Sequence, residues 1–467
     1  MTKGNTALIT LLALTAALGG LLFGYDTAVI SGAVGAIDAN FIDPRHLSPQ
    51  AKSWLSGFAV GSALLGCVLG AAIAGPASSR LGRKGGLICA GVLFFVSSLG
   101  SAFPEFGWSA FGAQGAAALA PFIFYRILGG MAIGMASMLS PMYIAEIAPP
   151  ASRGLFVTFQ QIAIVLGINL VYVVNWLIQS FGDRQWLLDT GWRWMLASAA
   201  LPAAMLFVGM LLVPETPRFY VMRGRKDEAL ALLRRLMGSG AETTMAEIET
   251  SLVRRDGRLF AFGAGVVIVG ALLSAFQQFV GINAVLYYAP MMFENIGATT
   301  DAAFLQAVIV GIANTLFTLV AFFTVDRIGR KPLLVVGALL MAVAMGVLGT
   351  LFYLQTVAVW AVVAVVVYIA GFALSWGPVV WVLLSEMFPN AIRSKALSLA
   401  VAVQWISNFL VTQTFRVMDG DPQLLSLFHH GFAYWLYAAV SVLAAIFVLR
   451  FVPETKGRSL EAIETLW

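Results

Sequence analysis

Charge is scarce in this chain. Of its 467 residues only 11% are Asp, Glu, Lys or Arg, while 60% are hydrophobic. A mean hydropathy of +0.88 excludes an ordinary soluble domain, in which about a quarter of the residues are charged. Cysteine is scarcer still: Cys67 and Cys89 both sit in apolar stretches. That excludes a disulfide framework and leaves both as small packing residues. The three histidines, His46, His429 and His430, fall in expected outer loops or at their edges, and no Cys or clustered carboxylate completes a metal site. There is no phosphate loop and no nucleophile–base pair, so neither an enzyme nor a cofactor is indicated. The alternating ten-residue segments of an outer-membrane barrel are also missing.

The chain instead contains apolar runs of about 20 residues along nearly its whole length, each long enough to span a bilayer. Backbone groups in lipid must pair internally, which leaves helices. The predicted fold class is an all-α membrane protein with twelve transmembrane helices, at about 7–35, 53–78, 85–103, 116–147, 154–182, 191–213, 259–297, 302–325, 331–354, 357–387, 393–417 and 430–451. The first run is too long for a signal-peptide core and is expected to stay as a helix. The net charge of +5 is a topology signal and does not indicate a nucleic-acid partner. With the N-terminus in the cytoplasm, about 22 of the 28 Lys and Arg fall on cytoplasmic ends and loops. Five lie outside (Arg45, Lys52, Arg184, Arg193, Arg416), and Arg126 lies within the membrane. That asymmetry places both termini in the cytoplasm.

Residues 218–258 form the one long polar stretch, and motifs recur across it. Arg80-Leu81-Gly82-Arg83-Lys84 matches Arg327-Ile328-Gly329-Arg330-Lys331. Glu146 and Arg153 match Glu386 and Arg393, and Pro214-Glu215-Thr216 matches Pro453-Glu454-Thr455. The ordered, nearly constant offset predicts four parts: a six-helix bundle at 1–217, a cytoplasmic linker of two short helices at 218–258, a second bundle at 259–452, and a tail at 453–467. Such repeats pack about an axis along the membrane normal, with a substrate site between them near the midplane. The repeat has one gap: Asp326 precedes Arg327, whereas Ser79 precedes Arg80, so the first-half turn is expected to be held less tightly.

Two constellations lie inside the spans. Asp26 is the only charge between Lys3 and Asp38, and Arg126 the only one between Glu105 and Glu146. Opposite charges at this depth are expected to pair, either as a proton switch or as a structural tie. The second constellation is amides: Gln277, Gln278 and Asn283 in one span, Gln161, Asn314, Gln404 and Asn408 in others. On an unbroken helix Gln278 and Asn283 would lie about 140° apart, but Gly281 and Pro290 interrupt the segment. Unwinding near Gly281 would bring the amides to one cavity, next to Phe23, Tyr287, Tyr288, Trp376, Trp381 and Trp405. Any single amide also suits a role as glue between helices. Together, amides that both donate and accept and rings that cover apolar faces suit a neutral polyhydroxyl ligand.

These residues carry a resemblance over essentially the whole chain. GGLLFGYDTAVISG (19–32), RLGRK (80–84), SPMYIAEIAPPASRG (140–154), PETPR (214–218), FQQFVGINAVLYYAP (276–290), VDRIGRKP (325–332), SWGPVVWVLLSEMFPNAIRSKA (375–396) and PETKG (453–457) resemble the sugar porter family of the major facilitator superfamily. The resemblance implies import of a neutral monosaccharide, D-xylose or a hexose such as glucose, by alternating access across a bacterial inner membrane, by a monomer. It implies that Asp26 is the proton-coupling carboxylate and Arg126 its partner. Gln161, Gln277, Gln278, Asn283, Asn314, Trp381 and Gln404 would hydrogen-bond the sugar, and Phe23, Tyr287 and Trp405 would line the pocket. Arg83, Glu146, Arg153, Glu215, Arg330, Glu386, Arg393 and Glu454 would form cytoplasmic ion pairs that stabilise the outward-facing state. Animal glucose facilitators of this family carry Asn at the Asp26 position, which favours proton symport over passive uniport. A transporter-like sugar sensor would need a signalling appendage, and the short tails offer none.

Overall fold

The computed structural model describes residues 5–106, 108, 116–149, 152–253, 259–355, 358–389 and 392–456. Residues 254–258 of the linker, 457–467 of the tail and the side chain of Asp326 lie outside the described residues. Among the described residues every regular element is helical. The membrane helices are α1 (Thr6–Val29), α2 (Pro49–Ala102), α3 (Leu119–Ile147), α4 (Arg153–Gln179), α5 (Arg184–Leu212), α6 (Ala264–Tyr287), α7 (Thr300–Ile328), α8 (Arg330–Tyr353), α9 (Val359–Leu384), α10 (Arg393–Gly420) and α11 (Phe432–Phe451).

Eleven helices make twelve crossings because α2 makes two. Its 54 residues would extend about 80 Å as one rod, more than twice the bilayer core. Gly82 breaks it at φ +83°, a backbone conformation open chiefly to glycine, in the RLGRK turn that the sequence places between two spans. The span expected at 259–297 is broken where Gly281 and Pro290 were expected to interrupt it: helix begins at Ala264, ends at Phe279, restarts over Ile282–Tyr287 and again over Ala289–Glu294. Gly281 sits between the first two pieces at φ +95°. Non-helical backbone at this depth must find partners. The hydroxyl of Tyr368 donates to the carbonyl of Val280 at 2.9 Å, and that of Tyr172 to the carbonyl of Leu286 at 2.5 Å. A π-helical turn, Phe372–Trp376, likewise interrupts α9 ahead of Pro378.

Helices α2 and α3 pack along a seam of small residues. A side-chain carbon at Gly130 would lie 1.7 Å from the carbonyl oxygen of Ala63, and one at Gly66 would lie 2.1 Å from that of Ile127. In lipid such backbone approach replaces the hydrophobic driving force available in water. Helices before and after the linker meet along two seams, α2 with α10 and α4 with α7. The two linker helices, Lys226–Met237 and Ala241–Val253, bury Ala229, Leu233, Ala241 and Met245 together. They dock on the start of α1, where the N–H of Asn5 donates to the carbonyl of Leu236 at 3.1 Å.

Gly130→Ala is expected to destabilise the protein by overpacking, which costs about 1–3 kcal/mol in a filled core. The thermal midpoint in detergent should fall by about 1–3 °C; an unchanged midpoint would contradict the close seam.

Candidate substrate cavity and buried ion pair

Asp26 lies on α1 and Arg126 on α3, both 2% exposed. Nη1 of Arg126 donates to both carboxylate oxygens, at 3.3 Å to Oδ1 and 3.2 Å to Oδ2, and its Nε has no partner. One nitrogen thus serves both oxygens, without the two-nitrogen fork of the strongest pairs. Breaking a buried pair by removing one partner costs about 3–5 kcal/mol, so each residue holds the other in place.

The neighbouring turns of α1 face a cavity of about 100 Å³. All ten residues expected to contact or line a sugar site border it: Phe23, Gln161, Gln277, Gln278, Asn283, Tyr287, Asn314, Trp381, Gln404 and Trp405. The break at Gly281 brings the amides into a chain. Asn283 Nδ2 donates to Gln278 Oε1 at 2.6 Å, Gln278 Nε2 to Gln277 Oε1 at 3.5 Å, and Gln277 Nε2 to the carbonyl of Trp376 at 2.8 Å. Gln404 Oε1 is buried without a partner, an acceptor left open for a ligand donor. Phe23 and Trp405 bring their rings to 5.3 Å, joining α1 to α10 one turn from Asp26.

Trp376 and Tyr288 do not join the site. The Trp376 indole is buried and donates to the carbonyl of Leu334 at 2.8 Å, and the Tyr288 hydroxyl donates to the carbonyl of Thr412 at 3.3 Å. Thr27, Ile164, Val165, Ile168 and Thr318 also line the cavity. Sequence reasoning missed them because apolar and hydroxyl residues in a membrane helix carry no signal of their own. Asn408, recognised as an amide in the sequence, lines the cavity and donates to the Tyr287 hydroxyl at 3.2 Å.

The motif residues repeated across the linker form two equivalent clusters. Arg83 pairs with Glu146 at 2.8 Å and Arg330 with Glu386 at 2.8 Å. Thr216 donates to Glu146 at 2.6 Å and Thr455 to Glu386 at 2.5 Å. Glu215 and Glu454 act chiefly as helix caps. Glu215 accepts the backbone N–H groups of Arg83 and Lys84, and Glu454 those of Arg330 and Lys331, where helix dipoles favour an anion. Arg153 is exposed and joins none of the described ion pairs. Nε of Arg393 donates to the carbonyl of Phe388 at 3.2 Å. Every described pair in these clusters stays on one side of the linker.

The two caps titrate in opposite directions. Burial pushes Glu215 above its ordinary 4.5, outweighing the backbone donors of Thr216 and Lys84. Burial also pushes Glu454 up, but the N–H groups of Lys456, Lys331, Arg330 and Thr455 prevail and hold it below 4.5.

A helical membrane bundle enclosing an amide-lined cavity beside a buried ion pair defines a solute carrier. The family model described as "Sugar (and other) transporter" matches residues 12–467, and the chain belongs to that family. It is 50% identical over 476 residues to the D-xylose-proton symporter of Escherichia coli, covering 100% of this chain and 97% of that protein. It is 46% identical over 470 residues to the glucose facilitated diffusion protein of Zymomonas mobilis, covering 100% and 98%. A solved structure of the E. coli xylose transporter XylE in a partially occluded inward-open conformation superposes with a TM-score of 0.89 at 48% identity, covering 97% of this chain and 100% of that one. XylE bound to 6-bromo-6-deoxy-D-glucose gives 0.84 at 50% identity, covering 99% and 100%.

Glu454→Gln should lower the thermal midpoint at pH 7. A carboxyl held below its ordinary value adds stability above that value and loses it as pH falls through the native one. The deficit of the variant should therefore shrink as pH drops below about 4.5. A deficit independent of pH would contradict the capping role.

Proposed function

We propose that this protein imports a neutral monosaccharide together with a proton by alternating access, D-xylose being the first candidate and a hexose such as glucose the second. The observation that carries the reading is a fully buried carboxylate–guanidinium pair one helical turn from an amide-lined cavity without fixed charge. Phe23 and Thr27 on α1 face the cavity while Asp26 faces Arg126. Protonation of Asp26 from outside loosens its hold on Arg126 and frees α1 to close on bound sugar. The bundles 1–217 and 259–452 then rock about the sugar held between them, and both ligands leave to the cytoplasm. The membrane potential supplies about 2.3 kcal/mol per charge per 100 mV, enough for roughly a fortyfold sugar gradient.

Gln161, Gln277, Gln278, Asn283, Asn314, Trp381 and Gln404 hold the sugar hydroxyls in this reading, with Phe23, Tyr287 and Trp405 against its apolar faces. The higher TM-score to the inward-open relative supports an inward-facing assignment for this conformation. The chain is a multi-pass membrane protein. We place it in the bacterial inner membrane as a monomer, with both termini in the cytoplasm. The second reading is a passive facilitator, favoured by the 46% identity to a protein named for facilitated diffusion. There the Asp26–Arg126 pair is a structural tie.

Asp26→Asn should leave sugar exchange at equal concentrations largely intact and abolish accumulation in vesicles with an imposed pH gradient. Undiminished uphill transport by the variant would reject the proton role. The facilitator reading predicts in addition that sugar entry into de-energised cells causes no external alkalinisation.

A further inference from the structure

At the end of the bundle assigned to the outside, one guanidinium joins the two halves. Arg416 lies in the last turns of α10, and Asp38 opens the π-helical turn Asp38–Ile42 beyond α1. Their side chains are 14% and 11% exposed, and Nη2 of Arg416 donates to Oδ2 of Asp38. Nε of Arg416 donates to the Ser56 hydroxyl on α2 at 3.0 Å. One turn earlier, Gln413 Nε2 donates to the carbonyl of Trp54 at 2.8 Å. All three bonds run from α10 to residues before the linker. A fourth contact stays at home: Nη1 of Arg416 lies 3.5 Å from Oδ2 of Asp419. Asp419 is itself held by His430 at 2.7 Å and by Asn295 at 3.4 Å, both after the linker.

We propose that Asp38 and Arg416 form an outer latch that holds the carrier closed to the outside and sets how often it opens there. The inference rests on the alternating-access reading. The arrangement suits a contact that breaks and reforms in every cycle. When the halves part on the outside, Arg416 keeps Asp419, so its charge is never left alone in a poorly hydrated place. Asp38, whose Oδ1 already lacks a protein partner, passes into water. Opening therefore breaks the cross-half bonds without stranding a buried charge, the expensive event for ion pairs. Neither residue borders the sugar cavity or touches Asp26, so the latch biases the conformational equilibrium and leaves binding and proton chemistry to other residues. Inside, by contrast, the Arg83–Glu146 and Arg330–Glu386 pairs each stay within one half and do not have to break for that side to open.

The test uses Ser53, buried on α2 against Gly420 of α10, where a side-chain carbon on the glycine would meet the Ser53 hydroxyl at 2.0 Å. In full-length protein with Cys67→Ala and Cys89→Ala, Ser53→Cys is labelled from outside with a membrane-impermeant maleimide. Adding Asp38→Asn, or separately Arg416→Gln, should speed labelling at least fivefold. The two together should be no faster than the faster single variant, because either one already removes the pair. Unchanged labelling in both single variants, or effects that multiply in the double variant, overturns the latch. The readout follows opening of the outer cleft and needs no proton movement, so a failed proton role for Asp26 leaves it interpretable.

Discussion

A carboxylate and a guanidinium shut away from water need one another, and the rest of this molecule is arranged around that need. Asp26 and Arg126 are the two charges set deep in the first half, and each is the other's ion-pair partner. The contact is real but incomplete, one nitrogen against two oxygens with Nε unpaired. A pair held this way is stable while both members are ionised and loosens once the carboxyl is neutralised. The cavity beside it has no fixed charge of its own. Its polar groups are amides and hydroxyls that exchange partners at small net energies, so a ligand there need not compete with the ion pair for electrostatic work.

Motion requires parts that stay rigid and contacts that let go. The rigid parts are the two equivalent clusters, in which a carboxylate caps the helix after each Arg-Leu-Gly-Arg-Lys or Arg-Ile-Gly-Arg-Lys turn while a second carboxylate holds the turn's arginine. They bind helices of one half to each other. The contacts that let go lie across the seams: the aromatic touch of Phe23 and Trp405, the hydroxyl of Tyr172 on the broken α6, and the polar cluster about Arg416. The broken α6 is the irregular element among them. Its freed carbonyls are satisfied by tyrosines from both halves, Tyr172 and Tyr368.

Much of this was legible in the residues. Hydropathy located the spans, and the RLGRK motif between two of them marked where α2 doubles back. Gly281 and Pro290, which interrupt the apolar segment, foretold the break that gathers Gln277, Gln278 and Asn283, and Gly281 takes the positive φ that the break requires. What the chain did not disclose was partner choice over long distances. Arg416 read as a charge on the outer side and is in fact half-buried and paired with Asp38, a residue 378 positions away. Arg193, read the same way, pairs with buried Glu105 at 3.0 Å. Glu215 and Glu454 looked like ion-pair members and serve backbone donors instead, which have no sequence signature. Trp376 looked like a pocket ring and is spent on a helix carbonyl, a choice set by its position in the π-turn.

The claim at the centre is that Asp26 changes its protonation as the carrier works. Infrared difference spectra of the reconstituted protein, recorded on adding sugar at outside-like pH, measure it most directly. The account predicts a protonated-carboxyl band that appears or shifts with sugar and is missing from a variant with Asn at position 26. A spectrum without any such band, in protein that binds the sugar, would contradict it.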